Sequence, residues 1–186
     1  MDETIIFGRQ SVVDLTQAVT EYFKGKTDKC GYPYIAHCLI VAQYSADLAR
    51  QYYGKDNTFM QYVAYIVGLC HDCYEDLDQS QIEKINKIII DQIPSRAGDI
   101  IHWIDLLTHD KDQSYSEYFD CLKKSKLATI VKAADSYHNS LSERYQYIVT
   151  KLDSVEIDKA IGHCEKYKSR HNALIELLEH GVFVEP

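Results

Sequence analysis

Four ionisable residues stand where the chain should be burying hydrocarbon. His37 sits within YIAHCLIVA, His71 and Asp72 follow directly on the apolar run AYIVGLC, and Asp135 shares a stripe with Ala128 and Val131 in KLATIVKAADSYHN. An ionised carboxylate in such surroundings costs several kcal/mol unless it is paired or bound to a metal. Two imidazoles and two carboxylates brought together make a nitrogen and oxygen donor set suited to a first-row divalent ion. Each residue alone also has a plainer reading. A histidine on an apolar face is commonly a hydrogen-bonded core residue, and an aspartate at a helix end is commonly a cap or an ion-pair partner. Spacing by itself does not show that the four converge, so both readings stand at this level.

Further polar residues cluster in sequence around these four. Glu75 and Asp76 follow Asp72 at three and four residues, past the end of the apolar helix. Paired carboxylates there can orient or deprotonate a water and protonate a leaving oxygen, or they can form a solvated acidic turn running on to Asp78. His138 and Asn139 stand three and four residues beyond Asp135 and so share its face of a helix.

The elements that must position these residues read as helices almost throughout, because apolar residues recur at steps of three and four. Ser11 opens a first helix to about residue 23, and GKTDKCGYP is a loop whose Pro33 is placed to start the next helix. That second helix carries apolar residues on more than one side and is therefore central. Further helices are expected over 58–72, from an Asp78–Gln81 cap pair to the early nineties, and from Pro94 to about 107. Three more are expected over 115–124 behind a Ser114–Glu117 capping box, over 126–139, and over 154–179 with Gly181 as the stop. The second His-Asp pair, His109–Asp110, falls in a polar loop, and the terminal VFVEP is too short to build a sheet. The expected architecture is a single all-α, bundle-like domain.

Composition agrees and narrows the partners. The 186 residues are 46% hydrophobic and 26% charged, enough to bury a core. A formal charge of −8 argues against a protein that lives on nucleic acid or anionic lipid, while leaving room for a small phosphorylated substrate. MDETIIFGRQ lacks the basic start and apolar run of a signal peptide, and no stretch is long enough to span a membrane. The six cysteines show no small-domain disulfide spacing and read as reduced thiols, so a cytoplasmic location is expected. Cys70 and Cys73, although spaced C-x-x-C, read as core packing, and the fifteen tyrosines are scattered at helical spacing.

The order His37, His71–Asp72, Asp135 resembles the H…HD…D pattern of the HD superfamily of metal-dependent phosphohydrolases. More narrowly, GYPYIAHCLIVA, GLCHDCYED, LTHDKDQSYSEYF and VKAADSYHNSLSERY resemble the guanosine tetraphosphate (alarmone) hydrolase domains of the RelA/SpoT type and the small stand-alone proteins like them. The resemblance covers about residues 10–150. It implies an HD-domain helical fold in which His37, His71, Asp72 and Asp135 hold one divalent ion, commonly manganese. A water on that ion would attack, with Glu75 and Asp76 handling protons. Lys29, Asn139, Ser142 and Tyr145 match substrate-binding positions: Lys29 toward phosphate or base, Ser142 toward ribose or phosphate, Tyr145 against the nucleobase. The implied reaction is removal of the 3′-pyrophosphate from guanosine tetra- or pentaphosphate. One position departs from the pattern: Asp28 stands where alarmone hydrolases usually carry an arginine stacked on guanine, and a carboxylate cannot stack and repels phosphate. Hydrolysis of another nucleotide (a nucleoside mono- or triphosphate), or a nucleotide-binding module without turnover, are the alternatives. On 186 residues no accompanying synthetase domain is expected.

Overall fold

Because its apolar residues return every three or four positions, the chain buries them as helix against helix. The structure, a computed structural model, describes residues 3–145 and 154–183, with backbone alone for 3–8; the last residues of VFVEP lie outside them. The helices are α1 (Glu3–Tyr22), α2 (Tyr34–Tyr53), α3 (Thr58–Cys70), α4 (Cys73–Asp76), α5 (Gln79–Gln92), α6 (Ala97–Leu107), α7 (Tyr115–Leu122), α8 (Lys126–Ser140) and α9 (Ser154–His180). A 3-10 turn, Ser142–Tyr145, follows α8. There is no strand among the described residues, only an isolated bridge between Thr27 and Pro33. No helix is long and apolar enough to cross a membrane among those residues.

Local signals set most of the boundaries. Pro33 occupies the cap position of α2. Asp78 with Gln81, and Ser114 with Glu117, form complete capping boxes for α5 and α7. The side chains of Asn57 and Ser125 accept from the backbone N–H groups of Met60 and Ala128 at the starts of α3 and α8. Two boundaries differ from expectation. Ser11 does not open α1 but lies fully buried inside a helix that begins at Glu3. Pro94 sits in a turn, and α6 begins only at Ala97.

α2 is central: it packs on α3 and α8, and α9 closes over α8 from outside. One apolar cluster runs through all of these, from Leu15, Val19 and Phe23 of the first helical segment to Leu174 and Leu178 of α9. The α2–α3 approach is close because Gly68 lacks a side chain. A Cβ there would stand 2.7 Å from Ser45 Oγ and 2.9 Å from the Ala42 Cα. Gly68→Ala is therefore expected to destabilise the fold by about 1–3 kcal/mol, as overpacking does, and urea unfolding would read it as a lower midpoint. An unchanged midpoint would mean that the two helices part at little cost.

Candidate metal centre and its cleft

Three elements meet at one point of the core. α2 brings His37 from its first turn, the junction of α3 and α4 brings His71 and Asp72, and α8 brings Asp135. His37 Nε2 lies 3.2 Å from His71 Nε2 and 3.5 Å from Asp72 Oδ2, and His71 Nε2 lies 2.9 Å from the same oxygen. Asp135 faces both rings, with Oδ1 at 3.5 Å from His37 Nε2 and 3.8 Å from His71 Nε2. Donor atoms of His37, His71 and Asp72 all fall within 4.8 Å of one another. Ligands about 2.1 Å from a shared ion stand about 3.0–3.4 Å apart along their edges, so the spacing and the donor types suit a divalent cation.

The hydrogen bonds behind the rings aim them at that point. His71 uses Nδ1 on the Gly68 carbonyl, 2.7 Å away, which leaves Nε2 for the cluster. His37 turns Nδ1 to His138 Nδ1 at 2.7 Å, and the two rings stack with centroids 4.9 Å apart. For His37 Nε2 to offer a lone pair, its Nδ1 must carry the proton and His138 Nδ1 must accept it. Burial, with Arg144 and His37 adding to it, pushes the His138 imidazole down to about 3, so that ring is neutral and able to accept. Outer partners of this kind fix a metal-ligating histidine's tautomer, and losing one typically costs 10–100-fold in metal affinity. His138→Phe, which keeps a ring but removes the acceptor, is expected to weaken divalent-ion binding by about that range in a competition titration with a chelating dye. Unchanged affinity would show that His37 needs no such acceptor.

Charge balance sustains the carboxylates. Burial would raise the Asp72 carboxyl, but the His71 and His37 rings beside it outweigh burial and hold it well below its ordinary range. The Tyr34 hydroxyl donates to Asp72 Oδ2 at 2.6 Å, and burial and that carboxylate keep its proton on. Burial is likewise overcome at Asp135, where Lys132 Nζ stands 3.1 Å from Oδ2 and lowers the carboxyl, while Asn139 donates to Oδ1. His71 is raised by Asp72 and Asp135 against the effect of burial, so a proton and a metal ion compete for the same Nε2 lone pair.

A cavity of about 210 Å³ opens in front of the cluster. His37, Asp72 and Asp135 form one end; Glu75, Lys132 and Asn139 stand beside them. Lys29, Asp28, Arg144, Tyr145, His163 and Tyr167 line the rest. Of the residues expected at the site, the exposed Glu75 and Lys29, the half-buried Asn139 and the buried Tyr145 border this cavity. Glu75 is tethered there, since its Oε1 accepts from the His109 backbone N–H at 2.8 Å. Asp76 and Ser142 are exposed and do not line it; the Asp76 carbonyl accepts from Lys26 Nζ at 2.6 Å.

The HD domain family model matches residues 34–140, which include His37, the His71–Asp72 pair and Asp135. The chain belongs to the HD domain family. HD domains are all-α and are generally metal-dependent hydrolases, which accords with the helices and the His-His-Asp cluster. No curated protein matches the chain.

Several residues at this HD site escaped the sequence reading. Lys132, three residues before Asp135 on the same stripe, carried a signal that helical spacing could have exposed. Tyr34, Arg144, His163 and Tyr167 carried none, because their place in the wall depends on how distant elements pack.

Proposed function

We propose that this protein hydrolyses a phosphate ester of a small nucleotide in the cytoplasm with one divalent ion, manganese first, and that it removes the 3′-pyrophosphate of guanosine tetra- or pentaphosphate. One observation carries the hydrolase reading: His37 and Asp72 belong both to the donor cluster and to the wall of the cleft, so whatever enters the cleft meets that cluster. The alarmone substrate rests on the four sequence blocks and on the company of cations and aromatic rings in the cleft.

His37, His71, Asp72 and Asp135 would hold the ion, which when bound lowers the pKa of a coordinated water and takes up charge on a phosphoryl oxygen. Lys132 and Asn139 keep the Asp135 carboxylate in place from behind. Glu75, pinned through one oxygen by the His109 N–H, is the group at the cleft wall able to accept the proton of an attacking water; Asp76, next in the chain, stands outside that wall. Lys29 would meet phosphate, Tyr145 the base, and Asn139 the sugar and its phosphate, whereas Ser142 lies outside the cavity wall.

Asp28 favours a second reading, in which another nucleotide phosphate is cleaved. Product analysis of manganese-loaded protein with guanosine tetraphosphate, beside common nucleoside mono- and triphosphates, separates the two. GDP and pyrophosphate, lost on chelation, support the first; orthophosphate from another nucleotide supports the second. No turnover despite bound metal would overturn both in favour of a binding module.

A further inference from the structure

The cleft holds cations that the donor cluster does not explain. Arg144, on the 3-10 turn, is only 10% exposed and lies in the cavity wall. Its Nη2 donates to Asp28 Oδ2 at 2.6 Å, and its Nη1 donates to Asn139 Oδ1 at 2.7 Å and to the His138 carbonyl at 3.1 Å. A guanidinium has five N–H donors, and here the buried Nε has no partner. Asp28 is as firmly held: its Oδ1 accepts from the backbone N–H groups of Cys30 and Tyr32, which leaves Oδ2 to aim the guanidinium. The carboxylate that replaces an arginine in the sequence pattern thus anchors an arginine from another element.

The same end of the cleft is crowded with positive charge, in a chain whose net charge is −8. Lys29 lines it, and α9 presents His163 and Tyr167 to it with Lys166 and Arg170 on neighbouring positions of that helix. The Arg170 guanidinium lies 4.0 Å from the centre of the Tyr115 ring and 5.3 Å from that of Tyr167. Arg170, then burial and Lys29, lowers the Lys166 ammonium, and burial with all four cations lowers His163. Mutually repelling cations in and around one cavity wall are relieved by an anion bound among them.

We infer that Arg144, aimed by Asp28, is a specificity-determining residue that receives an anionic oxygen of the substrate at a second point, apart from the His37–His71–Asp72 cluster. Lys29, Lys166 and Arg170 add to the field there, so that this chain selects substrates with phosphate at two separated places. Asp28 is a positioning residue in this arrangement. The inference deepens the proposed function and rests on it for the substrate, but binding at this end needs neither metal nor turnover.

The test is calorimetric titration of inorganic pyrophosphate into the full chain stripped of metal, with manganese titrated separately. Arg144→Gln should weaken pyrophosphate at least tenfold. Arg144→Lys should fall between, because an ammonium keeps the charge without the fork. Asp28→Asn should lose several-fold, and Asp28→Glu should recover part of it. Manganese affinity should stay within about threefold in all four, and KM for guanosine tetraphosphate should rise more than kcat falls. If Arg144→Gln does not fold, as circular dichroism would show, Arg144→Lys and Asp28→Asn decide. Wild-type affinity in the variants, equal loss of pyrophosphate and manganese, or no binding by the wild type would each overturn the inference. Arg144-dependent pyrophosphate binding without cleavage of guanosine tetraphosphate would leave it standing and remove the alarmone reading alone.

Discussion

Replacing Asp72 by alanine is expected to abolish divalent-ion binding and, with it, turnover by a factor on the order of 10³ or more, since the metal supplies several kcal/mol to phosphoryl chemistry. Asp72 Oδ2 is the atom that most of the cluster shares: it stands 2.9 Å from His71 Nε2, 3.5 Å from His37 Nε2 and 2.6 Å from the Tyr34 hydroxyl. Removing it deletes a proposed ligand and also the charge that balances the two rings. Part of the loss could be structural, because Tyr34 would keep a half-buried hydroxyl without its acceptor, at about 1–3 kcal/mol. Asp72→Asn separates the two effects. Its amide oxygen can still accept from Tyr34, but it is a neutral and poorer ligand, so the variant should melt close to wild type and still fail to bind metal. Calorimetric titration with manganese, paired with thermal melts in chelator, checks this. Wild-type metal affinity in either variant would remove Asp72 from the site.

The centre was legible in the sequence because burial and ionisation conflict. His71 and Asp72 directly after AYIVGLC, and Asp135 on an apolar stripe, are too costly there without partners, and they are found together. Capping boxes were equally legible, since Asp78–Gln81 and Ser114–Glu117 act within one turn of chain. Ser11 shows the limit of such local signals: a serine that could cap lies buried inside a helix instead, because the helix already runs from Glu3 and leaves no first turn there to cap. The contacts that complete the cleft wall were illegible. Asp28 and Arg144 are 116 residues apart, and Glu75 meets His109 across 34. Neither contact leaves a periodic trace, so an isolated Asp28 read as a loss of positive charge when packing had supplied an arginine from elsewhere.

Lys132 gives the second large effect, and its size depends on the metal. Lys132 Nζ stands 3.1 Å from Asp135 Oδ2, with the two side chains 16% and 6% exposed. The charges hold each other in place against burial, which alone would neutralise both. Lys132→Met keeps the length and apolar stem but leaves the Asp135 charge half-compensated, and breaking a buried pair from one side costs about 3–5 kcal/mol. In chelator the melting temperature should therefore fall by roughly 6–20 °C, taking about 2–4 °C per kcal/mol for a chain of this size. A divalent ion bound at His37, His71, Asp72 and Asp135 would supply the missing positive charge, and a ligand that binds only the folded state stabilises it with the logarithm of its affinity. The variant should consequently gain more melting temperature from manganese than the wild type does, whereas Lys132→Arg should track the wild type in both conditions. An equal deficit with and without manganese would mean that Asp135 does not meet the ion and that Lys132 acts on the fold alone.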